Sequence, residues 1–110
     1  MKGGGGGFDV QGLMKKAQDM QRSMAKAQED LKERVVEGNA GGGLVVAHAN
    51  GARQVVGIKI DAKVVDPADV AMLEDLVIAA VNQAMEKAQK MYETEMQKIT
   101  GPMQIPGLLG

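Results

Sequence analysis

The residues best placed to contact a charged partner are the cations between residues 15 and 26. Four bases and one acid fall in this stretch, namely Lys15, Lys16, Arg22 and Lys26, with Asp19 among them. On a helix, Lys15, Arg22 and Lys26 lie near one another on one face, with Lys16 beside them. Such a face is either an ordinary solvated surface or a ridge that contacts phosphates, and the residue types leave both interpretations open.

The side chains that could support catalysis are not spaced for it. His48 is the single histidine and stands alone in a predicted strand, with no Asp, Cys or second His placed to work with it. Ser23 and Tyr92 fall on predicted helices without a histidine partner, and the chain has no cysteine. We therefore expect a protein that is not an enzyme and that uses no metal, cofactor or small-molecule substrate.

Length and composition are consistent with one small domain. The chain has 110 residues, and its aromatic residues are Phe8 and Tyr92, so the core is expected to consist of aliphatic residues and methionine. The net charge is −1, which by itself does not indicate a nucleic-acid partner. Neither a signal peptide nor a membrane-spanning apolar run is recognisable, so a cytoplasmic location is expected.

The stretch from residue 44 to residue 60 predicts the centre of the fold. Two runs of small and β-branched residues flank Asn50-Gly51, the preferred pair for a two-residue hairpin turn. With that turn, Val46 and Val55 lie opposite each other on one face, and the other face is formed by Val45, Ala47, Val56 and Ile58. Since both faces are partly apolar, we expect a second copy of the chain to cover the face that carries Val46 and Val55.

One helix and one strand are predicted before the hairpin. Asp9 can cap the helix, whose apolar residues alternate at spacings of four and three: Leu13, Ala17, Met20, Met24, Ala27 and Leu31. Such a narrow row suits packing against another long helix. Residues 34–39 then change to β-branched types and predict a short first strand.

A long helix is predicted after the hairpin. Asp66 is expected as its cap and Pro67 as its first residue, and Gly101-Pro102 would end it after about Ile99. Its first half is apolar enough for a domain core. Its second half keeps a narrow apolar row that we expect to pair with the first helix in a projecting arm. Lys87 and Lys90 form its basic part.

Together these segments predict an α+β fold with the order helix, three-stranded antiparallel sheet, long helix (α-β-β-β-α) in two layers. Residues 1–8 are expected to be a flexible glycine-rich leader, because no strand precedes the five glycines as a phosphate-binding loop would require. Residues 9–100 are expected to form a single domain, and residues 101–110 an irregular tail.

The ordered set of segments resembles the YbaB/EbfC family of nucleoid-associated proteins. The segments that carry the resemblance follow a glycine-rich start and are residues 12–21 (GLMKKAQDMQ), 43–45 (GLV), 50–51 (NG), 58–61 (IKID), 72–76 (MLEDL) and 103–107 (MQIPG). No single segment is specific, but their order covers nearly the whole chain.

The resemblance implies a tweezer-like homodimer, without catalytic activity or cofactor, that binds double-stranded DNA with little sequence preference. It also implies a bacterial protein of the cytoplasm and nucleoid that affects nucleoid organisation and gene expression. The DNA-contacting residues would be the basic positions of the helices: Lys15, Lys16, Arg22, Lys26, Lys87 and Lys90. With 14 acids against 13 bases, the chain must segregate its charge to bind DNA. The alternative is a dimeric protein–protein interaction module with little DNA affinity of its own.

Overall fold

The computed structural model describes residues 9–101, which form two long helices and a three-stranded sheet. The elements are α1 (Val10–Lys32), β1 (Val35–Ala40), β2 (Val45–Asn50), β3 (Val55–Ile60), a short 3₁₀ helix (Ala62–Val64) and α2 (Val70–Thr100). The strands are antiparallel and lie in chain order. The predicted α-β-β-β-α order is confirmed, whereas the leader predicted at 1–8 and all but the first residue of the tail predicted at 101–110 lie outside the described residues.

The two helices begin at aspartate caps, one of which differs from the prediction. Asp9 caps α1 as expected, and its carboxylate accepts a 3.1 Å hydrogen bond from the Gly12 amide. The cap of α2 is Asp69, whose carboxylate accepts the Met72 amide at 3.2 Å. The prediction of Asp66 is wrong because its carbonyl accepts the Asp69 amide at 2.8 Å, which forms a separate turn ahead of the helix.

The core lies between α2 and the first two strands and is built mainly from small residues. Its fully buried members are Val45, Ala47 and Ala49 of β2 and Ala80, Ala84 and Ala88 of α2. A Cβ atom at position 38 of β1 would clash with the backbone of α2 at Ala80 and Ala84, so only glycine fits there. These small residues let the helix approach the sheet closely, and the first half of α2 forms the core as predicted.

The hairpin between β2 and β3 turns differently from the predicted two-residue turn. The Asn50 amide donates to the Gln54 carbonyl at 2.9 Å, so the turn contains four residues, 51–54. The residue with a left-handed backbone is Arg53 (φ 65°) rather than Asn50 or Gly51. Gly51 is needed for another reason, because a Cβ atom there would lie 2.6 Å from the Leu31 Cδ2 atom.

The longer turn and a bulge in β3 also change the register of the hairpin. Val46 pairs with Lys59, and Val55 pairs with Ala49. Because directly paired residues share a face of the sheet, Val55 lies on the face of the buried Ala49, and Val46 lies on the opposite face. The predicted pairing of Val46 with Val55 is therefore wrong, since each added residue in the turn or strand moves side chains to the other face.

β3 leaves apolar side chains open at one edge of the sheet. Ile58 and Ile60 pair with residues of the core face of β2 but are 43% and 42% exposed. They remain open because α2 packs on β1 and β2. The face that α2 covers thus continues past the helix as an uncovered apolar strip.

α1 packs on the distal part of α2 and forms an arm with it. Leu31 is buried at the base of this arm, and Met20, Met24 and Ala27 are half-buried along it. Leu13 is 56% exposed, so the apolar row is uncovered toward the beginning of α1. The arm makes the molecule 81 Å long but only 28 and 17 Å in the other two directions. Neither helix within residues 9–101 is both long and apolar enough to cross a membrane.

Candidate nucleic-acid interface

The outer side of α1 carries three of the predicted cations. Arg22 precedes the buried Leu31 by nine residues, about two and a half helical turns, so it lies on the opposite side of the helix. Lys15 and Lys26 are seven residues before and four residues after Arg22 and share its face. All three residues are exposed. The structure therefore presents Lys15, Arg22 and Lys26 as one basic face that points away from α2.

Lys16 is separated from this basic face. It lines a shallow groove of about 180 Å³ together with Leu13, Ala17 and Met20, the uncovered part of the apolar row. The long aliphatic stem of a lysine can cover such a surface while its ammonium group stays in water. Lys16 is therefore placed beside the apolar side of α1.

The charge of the basic face is only partly neutralised. The Arg22 guanidinium lies 3.6 Å from the Asp19 carboxylate, and both side chains are more than half exposed. An ion pair of this kind is screened by water and salt and contributes about 0–1 kcal/mol. Within residues 9–101, neither Lys15 nor Lys26 has a carboxylate within 4.0 Å. Lys15 and Lys26 are therefore available to bind an external anion.

Lys87 and Lys90 occupy a different part of the molecule. Both are exposed, but they flank Ala88, which is buried against the sheet. Thus these lysines lie beside the sheet, whereas the end of α1 meets α2 further along, where Leu31 and Tyr92 line one cavity. The structure does not bring the two predicted groups of cations together on one arm.

Sequence reasoning missed the cations at the base of the arm. Arg53, in the β2–β3 turn, places its guanidinium 4.1 Å from the centre of the Tyr92 ring. Its Nη1 atom donates to the Gln89 side chain at 3.3 Å. The position of Arg53 in a loop two residues after Gly51 was the available signal, because loops often carry binding residues.

A second polar contact at the base of the arm involves Glu95 of α2. Its carboxylate accepts a 2.6 Å hydrogen bond from Arg34 and lies 3.3 Å from the Lys98 ammonium group. The hydrogen bond from Arg34, together with Lys98, lowers the pKa of Glu95 from its ordinary value. Arg34 is thus bound to a carboxylate and is less available to an external anion than Arg53.

His48 has an acidic neighbour that the sequence analysis did not anticipate. Its Nε2 atom lies 3.0 Å from the Glu37 carboxylate on the adjacent strand, where the two residues are directly paired. They lie on the sheet face away from α2, and within residues 9–101 no three acidic or histidine side chains group as metal ligands. The pair is a cross-strand contact of the sheet surface.

The sequence was also compared with known proteins. It matches the YbaB/EbfC DNA-binding family over residues 5–103. The nucleoid-associated protein TTE0040 of Caldanaerobacter subterraneus subsp. tengcongensis is 53% identical over 103 residues, covering 94% of this chain and 93% of that protein. A nucleoid-associated protein of Acetivibrio thermocellus is 51% identical over 110 residues, covering 97% of each chain.

A solved structure shares the fold. The crystal structure of uncharacterized protein HP0035 from Helicobacter pylori aligns with a TM-score of 0.68, covering 88% of this chain and 98% of that one. Its sequence identity is 21%, so this likeness concerns the architecture. The sequence match, in contrast, extends over nearly the whole chain and includes the basic stretch of α1. The protein is therefore a member of the YbaB/EbfC DNA-binding family.

Proposed function

We propose that this protein is a nucleoid-associated protein that binds double-stranded DNA as a homodimer with little sequence preference. The observation that carries the proposal is the exposed basic face of α1, formed by Lys15, Arg22 and Lys26 on a projecting arm. Family membership and the names of the relatives support DNA as the partner. By binding chromosomal DNA in the cytoplasm, the protein would affect nucleoid organisation and gene expression.

The geometry of this face favours contacts with the DNA backbone over reading of bases. From Lys15 to Lys26 the helix rises about 16 Å, which corresponds to roughly five base pairs of duplex. Lysine and arginine at this spacing can neutralise phosphates and release counterions, which gives binding that weakens steeply with salt. Gln18 is the amide side chain that shares this face between Lys15 and Arg22, and one such side chain can discriminate at a single base pair at most. We therefore expect the protein to bind duplexes of many different sequences with similar affinity.

The proposed homodimer uses the uncovered strip of β3. Val55, Ile58 and Ile60 lie on the face of the sheet that α2 covers elsewhere, and all three are more than 40% exposed. β3 is also an edge strand with an unpaired backbone, which favours association with another chain. A second copy would cover both features. Val46 lies on the opposite face, so it would belong to this interface only if the partner wrapped around the edge.

Dimerisation would strengthen weak DNA contacts. Each protomer offers a short basic face on a chain whose acids slightly outnumber its bases. Two such faces held at a fixed separation make the second contact intramolecular, which raises the overall affinity without any new interaction. Lys87 and Lys90, beside the sheet, would then contact DNA only if the duplex also reached the body of the molecule.

The DNA proposal is tested by charge reversal on α1. Fluorescence anisotropy with a labelled random-sequence duplex is measured at low and moderate salt for the wild type and for Lys15→Glu/Lys26→Glu. We expect the double variant to lose at least tenfold in affinity and to show a shallower salt dependence, because phosphate contacts are removed. Lys63→Glu/Lys98→Glu is the control of equal net charge away from this face. Lys87→Glu/Lys90→Glu tests the second group of cations.

The outcomes separate the two candidate functions. If the α1 variant and the control lose the same amount of duplex affinity, only the net charge of the protein matters. That result would contradict a specific role for the basic face. A wild-type protein that binds no duplex at low salt would refute DNA binding. The alternative, a dimeric protein–protein interaction module, would then be favoured by the uncovered apolar groove of Leu13, Ala17 and Met20.

The dimer is tested separately by light scattering at micromolar protein concentration. Ile58→Asp/Ile60→Asp places two charges in the proposed interface and is expected to give monomers, because unpaired charges are costly to bury. Val46→Asp is the matched variant on the opposite face and is expected to leave the dimer intact. Monomeric wild-type protein would contradict the dimer, and dissociation by Val46→Asp alone would move the interface to the other face.

A further inference from the structure

The base of the arm contains a cavity where three elements meet. Its volume is about 240 Å³, and it lies between the last turn of α1, the β2–β3 turn and α2. The lining residues are Gln28, Leu31, Lys32, Ala52, Arg53 and Tyr92. Two of the six are cations and none is an acid. The side chains of Gln28, Lys32 and Arg53 carry N–H groups that can donate hydrogen bonds to an anion, and Leu31, Ala52 and the Tyr92 ring supply apolar surface.

Arg53 is held at this cavity by neutral groups. Its guanidinium lies over the Tyr92 ring and donates one hydrogen bond to the Gln89 amide oxygen. Within the part of the chain that the structure describes, no carboxylate lies within 4.0 Å of it. Arg22 and Arg34, in contrast, each have a carboxylate partner. Arg53 is thus ordered while its charge remains unneutralised.

The backbone at Arg53 adopts an unusual conformation that the surrounding turn holds in place. Arg53 is the only non-glycine residue with a positive φ in the described range, a conformation usually taken by Gly, Asn or Asp. The turn is also fastened to α1, because the Gly51 amide donates to the Leu31 carbonyl at 2.8 Å and to the Arg34 carbonyl at 3.0 Å. The turn therefore presents Arg53 from a fixed support.

We infer that Arg53 and Lys32 bind a phosphodiester group of the DNA backbone at this cavity. A guanidinium offers several donors in one plane, which suits two oxygens of a phosphate, and Lys32 supplies a second charge. The Lys32 ammonium group lies 3.9 Å from the Glu29 carboxylate, and both side chains are exposed, so that pair is easily exchanged for a phosphate. The inference rests on the proposed DNA-binding function and adds a contact that the basic face of α1 does not provide.

This site would differ in character from the basic face of α1. Lys32 is six residues beyond Lys26, about 9 Å further along the helix axis, where the arm joins the sheet. A phosphate bound there would fix the position of the duplex relative to the rigid body of the protein. Contacts with Lys15 and Lys26 alone would leave the duplex held only by the projecting part of α1.

The first test is the salt dependence of duplex binding. Arg53→Gln and Lys32→Gln are compared with the wild type by fluorescence anisotropy at several salt concentrations. Each variant is expected to weaken binding three- to tenfold at low salt and to reduce the slope of log affinity against log salt by about one. Arg53→Lys should recover part of the affinity. Arg53→Gly removes the cation while suiting the left-handed backbone, so its effect on binding cannot be attributed to a misfolded turn.

The matched control is Lys63→Gln, which removes one positive charge from the 3₁₀ helix and is expected to keep the wild-type slope. Thermal melting of every variant checks that the fold is retained. If Arg53→Gln, Arg53→Gly and Lys32→Gln all bind duplex with wild-type affinity and slope, the site is refuted, while the proposed function stands. If the wild type binds no duplex at low salt, both the function and the site are refuted.

A second measurement observes the cavity directly. Tyr92 is the single tyrosine of the chain, so labelling with 3-fluorotyrosine gives one ¹⁹F resonance at the cavity wall. Saturation with duplex should shift this resonance in the wild type and in Lys63→Gln. The shift should be lost in Arg53→Gly at a duplex concentration that still saturates the variant. A wild-type resonance that does not move at saturation would overturn the inference.

Discussion

The Arg34 guanidinium donates a 2.6 Å hydrogen bond to the Glu95 carboxylate, which joins the segment between α1 and β1 to the distal part of α2. The two residues are 61 positions apart in the chain, and their contact lies where the arm meets the sheet. Together with the Gly51 amide, which donates to the Leu31 carbonyl, it fixes the base of the arm. The arm is therefore attached to the domain at both α1 and α2.

The pKa of Glu95 provides a first prediction. Arg34→Gln should raise the pKa of Glu95 toward its ordinary value, because the hydrogen bond from Arg34 is the largest cause of its lowering. A carboxyl group with a lowered pKa in the folded state stabilises the fold above its unfolded-state pKa and loses that effect as pH falls through the folded-state pKa. The variant should therefore show a smaller loss of stability on acidification than the wild type.

The measurements are an NMR titration of Glu95 and urea unfolding at neutral and acidic pH. Arg22→Gln is the control, because its partner Asp19 is an exposed neighbour on the same helix. An unchanged titration of Glu95 in Arg34→Gln would contradict the assignment of the lowered pKa to this hydrogen bond.

The contact of Gly51 with α1 provides a second prediction. Gly51→Ala should destabilise the fold by about 1–3 kcal/mol, because the new methyl group would meet the side chain and carbonyl of Leu31. Gly57→Ala is the matched control in the same hairpin, since its nearest neighbour, the His48 ring, would be 3.9 Å away. Urea unfolding at fixed protein concentration measures both variants. If Gly51→Ala and Gly57→Ala are equally stable, the turn can move away from α1 to make room for the methyl group.

Asn50 provides a third prediction about the hairpin turn. Its buried side-chain oxygen accepts the Ala52 amide at 3.0 Å and the Gln54 amide at 3.1 Å. Asn50→Ala should cost about 1–3 kcal/mol in the free energy of unfolding, because two amides lose their acceptor. Asn50→Asp keeps the acceptor and should retain more of the stability. Chemical denaturation distinguishes the two variants, and a fully stable Asn50→Ala would show that solvent replaces the lost acceptor.

The two ends of α1 should respond differently to the loss of an apolar side chain. Leu31 is 1% exposed, so Leu31→Ala should destabilise the fold by about 2–5 kcal/mol. Leu13, of the same residue type but 56% exposed, should tolerate Leu13→Ala within about 0.5 kcal/mol. Thermal melting of both variants tests the difference. A large loss of stability in Leu13→Ala would show that another segment or a second copy of the chain covers the beginning of α1.

Several features were predictable because they depend on neighbours close in the chain. The apolar row from Leu13 to Leu31 predicted α1, and the capping role of Asp9 follows from a bond to Gly12 three residues away. The element order and the packing of α2 on the sheet followed from the same kind of periodicity. The candidate basic face was predictable in part, because spacing alone places Lys15, Arg22 and Lys26 together.

Other features depend on residues that are distant in the chain. The choice of the α2 cap is a local exception, because Asp66 and Asp69 are both aspartates ahead of the helix and the turn between them leaves Asp69 as the cap. The placement of Arg53 was missed because the residues it contacts, Gln89 and Tyr92, are brought to it only by the fold. Lys16 was grouped with its charged neighbours, although its place beside Leu13 and Met20 puts it on the apolar groove.

The amino-acid sequence alone therefore established the helices, the strands and the basic character of α1, since these properties arise within a few residues. Its composition, which includes no cysteine, excluded thiol chemistry. The fold settled the register of β2 and β3 and the separation of Lys87 and Lys90 from the arm. It also settled which apolar side chains of β3 stay exposed. The reason is that the four-residue turn at 51–54 and the bulge in β3 set this register, and Gly51 of that turn lies against Leu31, 20 residues earlier in the chain, where no side chain fits.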